Sequence, residues 1–232
     1  WSSPASRMKE LIEAIRAIWD CWQNESKLDF RGEFYTHTLM TPMFNPGPNP
    51  FGLPKIYVAA VGPLMTKAVG ESADGLLVHP FHTPQYMKET TLPIVERALT
   101  STGRNRSDFD FSISVMTATG TNEESYKKAI DACKNAISFY ASTPAYKGVL
   151  DIHGYGDLQG KLNLMSKEGK WKEMALLIDD ELLNTVAVVA ETPEAAAAEI
   201  KLRYGEQGDR ITPGFYSGEK GLATRVIKAL RA

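Results

Sequence analysis

The sequence predicts an α/β fold built on a parallel sheet, and three observations carry that expectation. Short apolar runs at 56–61, 75–79, 111–118 and 210–215 alternate with longer stretches at helical spacing. Proline follows a capping residue at Ser3-Pro4, Gly62-Pro63, Thr83-Pro84, Thr143-Pro144 and Thr192-Pro193. There the cap accepts a free backbone N–H, and proline at the first helical position loses no hydrogen bond. The stretch "KIYVAAVGPLMTKAVGESADGLLVHP" (55–80) fits strand, helix and strand into one βαβ length. Four strands are half of the eight that close a (β/α)8 barrel.

Each element has its own signal. After Pro4, "RMKELIEAIRAIWDCW" sets Met8, Leu11, Ile12, Ile15, Ile18, Trp19 and Trp22 on one helical face. Residues 28–54 are rich in Gly, Pro and Asn, with a β-like piece "FRGEFYTHTLM" whose aromatics favour an ordered loop. A strand over Ile56–Val61, a helix over Pro63–Ser72 and a strand over Gly75–His79 follow. The next helix runs from Pro84 to about Thr102 and is kinked or restarted near Pro93, whose ring removes a helical hydrogen bond. "FDFSISVMTATG" enters a buried sheet, and Thr121 caps a helix from about Asn122 to Ala141. Residues 144–190 are mostly helical, interrupted at "HGYGDLQG". "TPEAAAAEIKLRYG" begins at a Thr-Pro cap and ends at Gly205. "DRITPGFY" is the last strand and "EKGLATRVIKALRA" the last helix.

Composition narrows the function classes. Of 232 residues, 26 are basic and 28 acidic, a formal net charge of −2, so no basic excess points to nucleic acid. No run reaches the roughly 18 apolar residues of a membrane span. The two cysteines, Cys21 and Cys133, have neither a CxxC partner nor a neighbouring histidine. They read as free thiols of a cytoplasmic protein, and no metal site is expected.

Chemistry concentrates where strands end. In parallel α/β folds, ligands bind where a strand stops and the next helix starts. Ala59, Ala60 and Gly62 leave room for close approach to the backbone, and a helix start suits phosphate or carboxylate. Pro63 removes one donor, so the expected contacts are the N–H groups of Gly62, Leu64 and Met65. The same residues also suit a tight strand–helix turn packed with small side chains, and the stretch is neither GxGxxG nor a Walker loop. His79, at the end of the next strand, is placed to bind an oxyanion, act on substrate or cap the strand. His82 reads as a solvated loop residue, while His37 and His153 sit in loops that could line a pocket. There is no GxSxG, and Asp179-Asp180-Glu181 reads as a solvated helical face.

Several blocks resemble a known family. "SSPASRMKELIEAIRAIWDCWQ", "GEFYTHTLMTPMFNPGP", "PKIYVAAVGPLMTKAVGESADGLLVHPF", "FYASTPAYKGVLDIHGYGDLQGKL" and "GKWKEMALLIDDELL" are similar to the luciferase-like flavin- or deazaflavin-dependent oxidoreductases. The similarity is greatest to the branch that uses coenzyme F-420. It implies a (β/α)8 TIM-type barrel, with residues 1–232 as a single domain forming its C-terminal portion and the N-terminal strands missing. It implies hydride transfer between coenzyme F-420, or alternatively FMN, and a small organic substrate. On the cofactor's phosphate side it places Ala59, Ala60, Val61, Gly62, Pro63, Leu64 and Met65, with His79 and Pro80 beside them. Towards the substrate it places Phe81, Tyr140, Ser142, Thr143, Tyr146 and His153. No catalytic acid or base is assigned, because the absent strands would carry it. The chain departs from the family again at "VVAETPE", where relatives commonly carry glycine. An incomplete barrel exposes a sheet edge, which promotes homo-oligomerisation. The other reading is a non-catalytic half-barrel that serves as a binding or oligomerisation module.

Overall fold

The computed structural model describes residues 2–232. Helix α1 (Pro4–Asn24) is followed by an antiparallel hairpin of β1 (Phe30–Arg31) and β2 (Thr36–His37), pairing Phe30 with His37 and Arg31 with Thr36. Next come β3 (Tyr57–Ala60), α2 (Pro63–Ser72), β4 (Gly75–Val78), α3 (Pro84–Tyr86) and α4 (Leu92–Ser101). Then β5 (Asp110–Ala118) leads to α5 (Glu123–Ala141), and four short helices follow. These are α6 (Lys147–Asp151), α7 (Gly156–Lys167), α8 (Trp171–Ala175) and α9 (Asp180–Val186). The chain closes with β6 (Val188–Val189), α10 (Pro193–Tyr204), β7 (Arg210–Phe215) and α11 (Leu222–Arg231).

Two compact units emerge, one of residues up to Leu76 with Ile94–Asp110, the other of Leu77–Pro93 with Phe111–Ala232. In the first, polar anchors hold the strand starts. Asp74 accepts from the Ile56 N–H at 2.7 Å through one oxygen and pairs with Arg16 at 2.7 Å through the other. The Arg104 guanidinium donates to the carbonyls of Gly70 (3.0 Å) and Ala73 (2.6 Å), satisfying groups that the end of α2 leaves open. Tyr57 donates its phenol proton to Asp110. Glu10 on α1 accepts from the N–H groups of Phe34 and Tyr35, both at 2.7 Å, and so pins the hairpin. A Cβ on Gly70 would stand 2.7 Å from that of Ala98, so only glycine lets α2 lie this close to α4.

The second unit is held by an apolar core. Phe81, Met116, Ile137, Leu150, Leu162 and Met174 are among its fully buried members. Strand β5 pairs in parallel with β7, from Ser112 opposite Arg210 to Thr117 opposite Phe215. It also pairs in parallel with β6, Thr117 opposite Val188. Asp209 repeats the device of Asp74, accepting from the Phe111 N–H at 2.7 Å.

The expected strands are present to within a residue or two, and the α/β character with parallel pairing is as predicted. Seven strands are formed among the described residues, two of them in the hairpin, against the eight of a closed barrel. The details differ instructively. Strand β6 escaped the sequence reading because two residues are too short for alternation. The break before Pro93 is a π-turn over Met87–Thr91, in which the Leu92 N–H reaches the Met87 carbonyl. Asn122, not Thr121, caps α5: its side chain accepts from Ser125 N (2.9 Å) while the Ser125 hydroxyl accepts from Asn122 N. The Thr121 hydroxyl is engaged by Glu219 instead. The break expected across "HGYGDLQG" occupies 152–155, where Gly154 takes φ +79° and the Tyr155 N–H returns to the Leu150 carbonyl. On α1 only Ile12, Ala14 and Cys21 are fully buried, so the predicted stripe is covered in part. Both cysteines are buried and free. No described helix is long and apolar enough to cross a membrane.

Candidate functional site

In the first unit, β3 ends at Ala60 and α2 begins at Pro63, with Gly62 between them at φ +81° and ψ 156°. An L side chain is strained at such an angle, and a Cβ there would find no heavy atom within 4 Å. The space above the turn is therefore open. Ala59, Pro63 and Leu64 are exposed, Leu64 by 74%, while Ala60, Val61 and Met65 are partly covered. Thr66 locks the turn from behind, its N–H (3.1 Å) and its hydroxyl (2.9 Å) both donating to the Gly62 carbonyl. This ten-residue helix presents its first N–H groups and the positive end of its dipole beside exposed backbone, an arrangement suited to an anion.

In the second unit, the chain leaving β4 forms a cluster of rings. His79 lies 4.7 Å from Tyr140, edge-on, and 4.8 Å from Tyr146. Phe81, 1% exposed, backs both tyrosines at 6.2 and 5.6 Å. The Phe81 N–H donates to His79 Nδ1 at 3.1 Å, so the neutral imidazole carries its proton on Nε2. Burial lowers the His79 pKa below the usual imidazole value and favours that neutral form.

Four predicted residues, His79, Phe81, Tyr140 and Tyr146, are thus brought together. Pro80 lies in the turn between the first two and is partly covered. Ser142 turns its hydroxyl back to the Phe139 carbonyl at 2.7 Å, and its own carbonyl receives Gln159 and Asn163. Thr143 opens the turn that carries Tyr146. His153 Nε2 stands 2.8 Å from the Thr83 hydroxyl. Because that oxygen already accepts from the Tyr86 N–H (3.0 Å), its proton is free to go to His153.

His82 is not solvated, as the sequence suggested, but 4% exposed. The turn folds back so that His82 Nδ1 donates to the His79 carbonyl at 2.8 Å, with the ring 5.3 Å from Tyr204. Its Nε2 is buried and has no partner among the described residues. Burial is the main cause that drives its pKa down to about 4. The acidic run is solvent-exposed, as the sequence suggested, and two of its members have further roles: Asp179 caps α9 through the Leu182 N–H, and Asp180 pairs with Lys134.

Sequence reasoning passed over Tyr216, Phe139 and Trp171. Burial, and next the neighbouring Tyr140, raise the pKa of Tyr216, which joins the cluster from just beyond β7. Its place directly after a strand end was the available signal. Phe139 bridges Tyr140 (5.5 Å) and Trp171 (6.0 Å). Beyond the ends of β5 and β7, the buried Thr119 and Ser217 hydroxyls have no partner among the described residues. No group of three metal-ligating side chains occurs among them either. Chemically, then, the first unit offers a backbone anion cradle and the second a neutral N–H donor walled by aromatic rings.

Comparison with known proteins places the chain in a family and a fold. The uncharacterized protein Rv1360 of Mycobacterium tuberculosis is 44% identical over 231 residues, covering 100% of this chain and 68% of that protein. The structure of the coenzyme F420 dependent tetrahydromethanopterin reductase from Methanopyrus kandleri superposes with a TM-score of 0.67 at 16% identity. That match covers 96% of this chain and 60% of the reductase. An F420-dependent secondary alcohol dehydrogenase, solved with an F420-acetone adduct, also gives 0.67 at 19% identity, covering 100% of this chain and 64% of the enzyme. The chain thus spans less than two thirds of these solved structures. The family model described as luciferase-like monooxygenase matches residues 1–210, and the chain belongs to that family.

Proposed function

We propose that the chain serves an oxidoreductase that transfers hydride between coenzyme F-420 and a small organic substrate, with FMN as the alternative carrier. The observation that carries this reading is the Gly62 turn, an open backbone cradle at the start of α2. The F420-dependent enzymes among its structural relatives support the same choice of cofactor.

The residues present fit a phosphate-bearing ligand. The N–H groups of Gly62, Leu64 and Met65 would hold its phosphate side, while Ala59, Ala60, Val61 and Pro63 keep bulk away. When bound, the deazaflavin or flavin supplies the ring that carries hydride. The chain's own part is to orient and shield. Tyr140, Tyr146 and Phe81 exclude water beside His79, whose Nε2–H is a hydrogen-bond donor for a substrate oxygen. His153 holds its loop through Thr83, and Ser142 and Thr143 shape the turn that carries Tyr146.

Titration of the purified chain with F-420 and with FMN, followed by fluorescence, tests the proposal. A micromolar F-420 complex is expected. Tighter FMN binding would change the carrier, and no binding to either would favour a non-catalytic binding or oligomerisation module. Gly62→Val is expected to weaken binding about tenfold or more while circular dichroism stays unchanged. Unchanged affinity would remove the turn from the site. Association through an open sheet edge belongs to the same proposal, and light scattering that reports a monomer would count against it.

A further inference from the structure

Helices α10 and α11 border a groove that the oxidoreductase reading does not use. We infer that this groove binds a small anionic amphiphile, with a phosphate-type head at Lys201 and Lys228 and a short apolar chain along the alanines between the helices.

Three features carry the inference. First, the helices are held from behind and leave a cavity in front. Ala197 and Ile200 of α10 and Val226 of α11 are buried, while residues 194–201 and 225–232 wall a cavity of about 550 Å³. That volume lies within the range of about 300–1,000 Å³ usual for small-ligand sites. Each wall is about 10 Å long, so the space suits a short chain. Second, the lining is apolar where it is uncharged. Ala198, Ala229 and Ala232 contribute methyl groups, and Leu202, one turn beyond Ala198, is 80% exposed. A chain laid there removes apolar surface from water, and the lysine stems extend the same wall. Third, the charges are uneven. Three cations and one carboxylate line the groove, in a chain whose net charge is −2. Arg225 donates to both carboxylate oxygens of Glu194, at 3.0 and 3.2 Å, so those two neutralise each other. The Lys201 and Lys228 ammonium groups have no partner among the described residues. Two unpaired ammonium groups beside an apolar lining complement an anion carried on an apolar body. A neutral amphiphile would leave both unused, and a cationic one would be repelled.

Alanine-methyl-labelled protein, with the Ala198 and Ala229 signals assigned by Ala198→Ser and Ala229→Ser, permits a test by NMR. The probe is hexyl phosphate at pH 7.5, with hexanol, inorganic phosphate and hexyltrimethylammonium added separately as controls. Hexyl phosphate is expected to shift both signals saturably. Lys201→Gln combined with Lys228→Gln is expected to weaken that binding about tenfold. Lys172→Gln, at an exposed lysine on α8, is expected to leave it unchanged. Ala198→Leu, which fills the groove, is expected to abolish binding while circular dichroism stays the same. The inference is overturned if hexyl phosphate leaves the signals unmoved, or if the paired lysine variant binds as well as the parent chain. It is equally overturned if hexanol or hexyltrimethylammonium moves the signals at the same or lower concentration. Inorganic phosphate acting as strongly as hexyl phosphate would remove the apolar chain from the site and overturn it too.

Discussion

At the Gly62 turn the groups on offer are backbone N–H donors and the space above them, whereas around His79 they are rings and one imidazole N–H. The supports differ in the same way. The first unit fixes its strand starts with ionic hydrogen bonds, Asp74 to Ile56 and Arg16, and Arg104 to the end of α2. The second packs its ring cluster against buried side chains such as Met116, Ile137 and Leu150. A backbone site needs small residues and a firm turn, so polar anchors at a distance suffice. A side-chain site needs each ring to have a wall behind it, and only a dense core supplies that.

If this contrast holds, the largest effect should come from the core side. Phe81→Ala removes a fully buried ring from behind Tyr140 and Tyr146 and should cost about 3–5 kcal/mol in urea unfolding. A cost below about 1 kcal/mol would mean that the cluster is not held by packing. Next is His82, buried and neutral with its pKa pushed down to about 4. Its folded-state value lies below the unfolded one, so the unfolded chain takes up the proton first as pH falls. The stability tied to the neutral ring is fully present above about pH 6.5 and declines towards pH 4, by about 3 kcal/mol in all. Unfolding measured across that range should show the decline, and His82→Phe should flatten it; an equal decline in the variant would assign it to other groups.

Asp74→Ala tests the polar side. It deprives the Ile56 N–H and Arg16 of their acceptor and should cost about 1–3 kcal/mol, with Asp74→Asn recovering part of the loss. An Asp74→Ala variant as stable as the parent chain in thermal unfolding would mean that the carboxylate does not anchor this unit. The smallest change is Thr192→Ala, which deletes the acceptor for Ala195 N–H at the start of α10. It should cost about 1 kcal/mol, read from the shift in urea midpoint, and a shift no larger than that of an exposed control such as Thr212→Ala would rule the cap out as a contributor.

The sequence alone determined the local elements, for a physical reason: a cap, a proline and an apolar period act within a few residues of one another. Gly62-Pro63 was therefore legible as a strand end and helix start, and its small neighbours as open space. The family was legible too, because its blocks are contiguous. Tertiary structure decided what depends on folding back. His82 looked like a loop residue until the turn carried it beneath Tyr204. Thr121 looked like a cap until Glu219, far along the chain, engaged its hydroxyl. The cluster of His79, Tyr140, Tyr146 and Tyr216 draws on positions spread across more than half of the chain, and no short-range pattern links them. Side-chain spacing along the chain sets secondary structure, whereas spacing through the core sets which groups meet, and in this protein only the second kind assembles a donor with its aromatic walls.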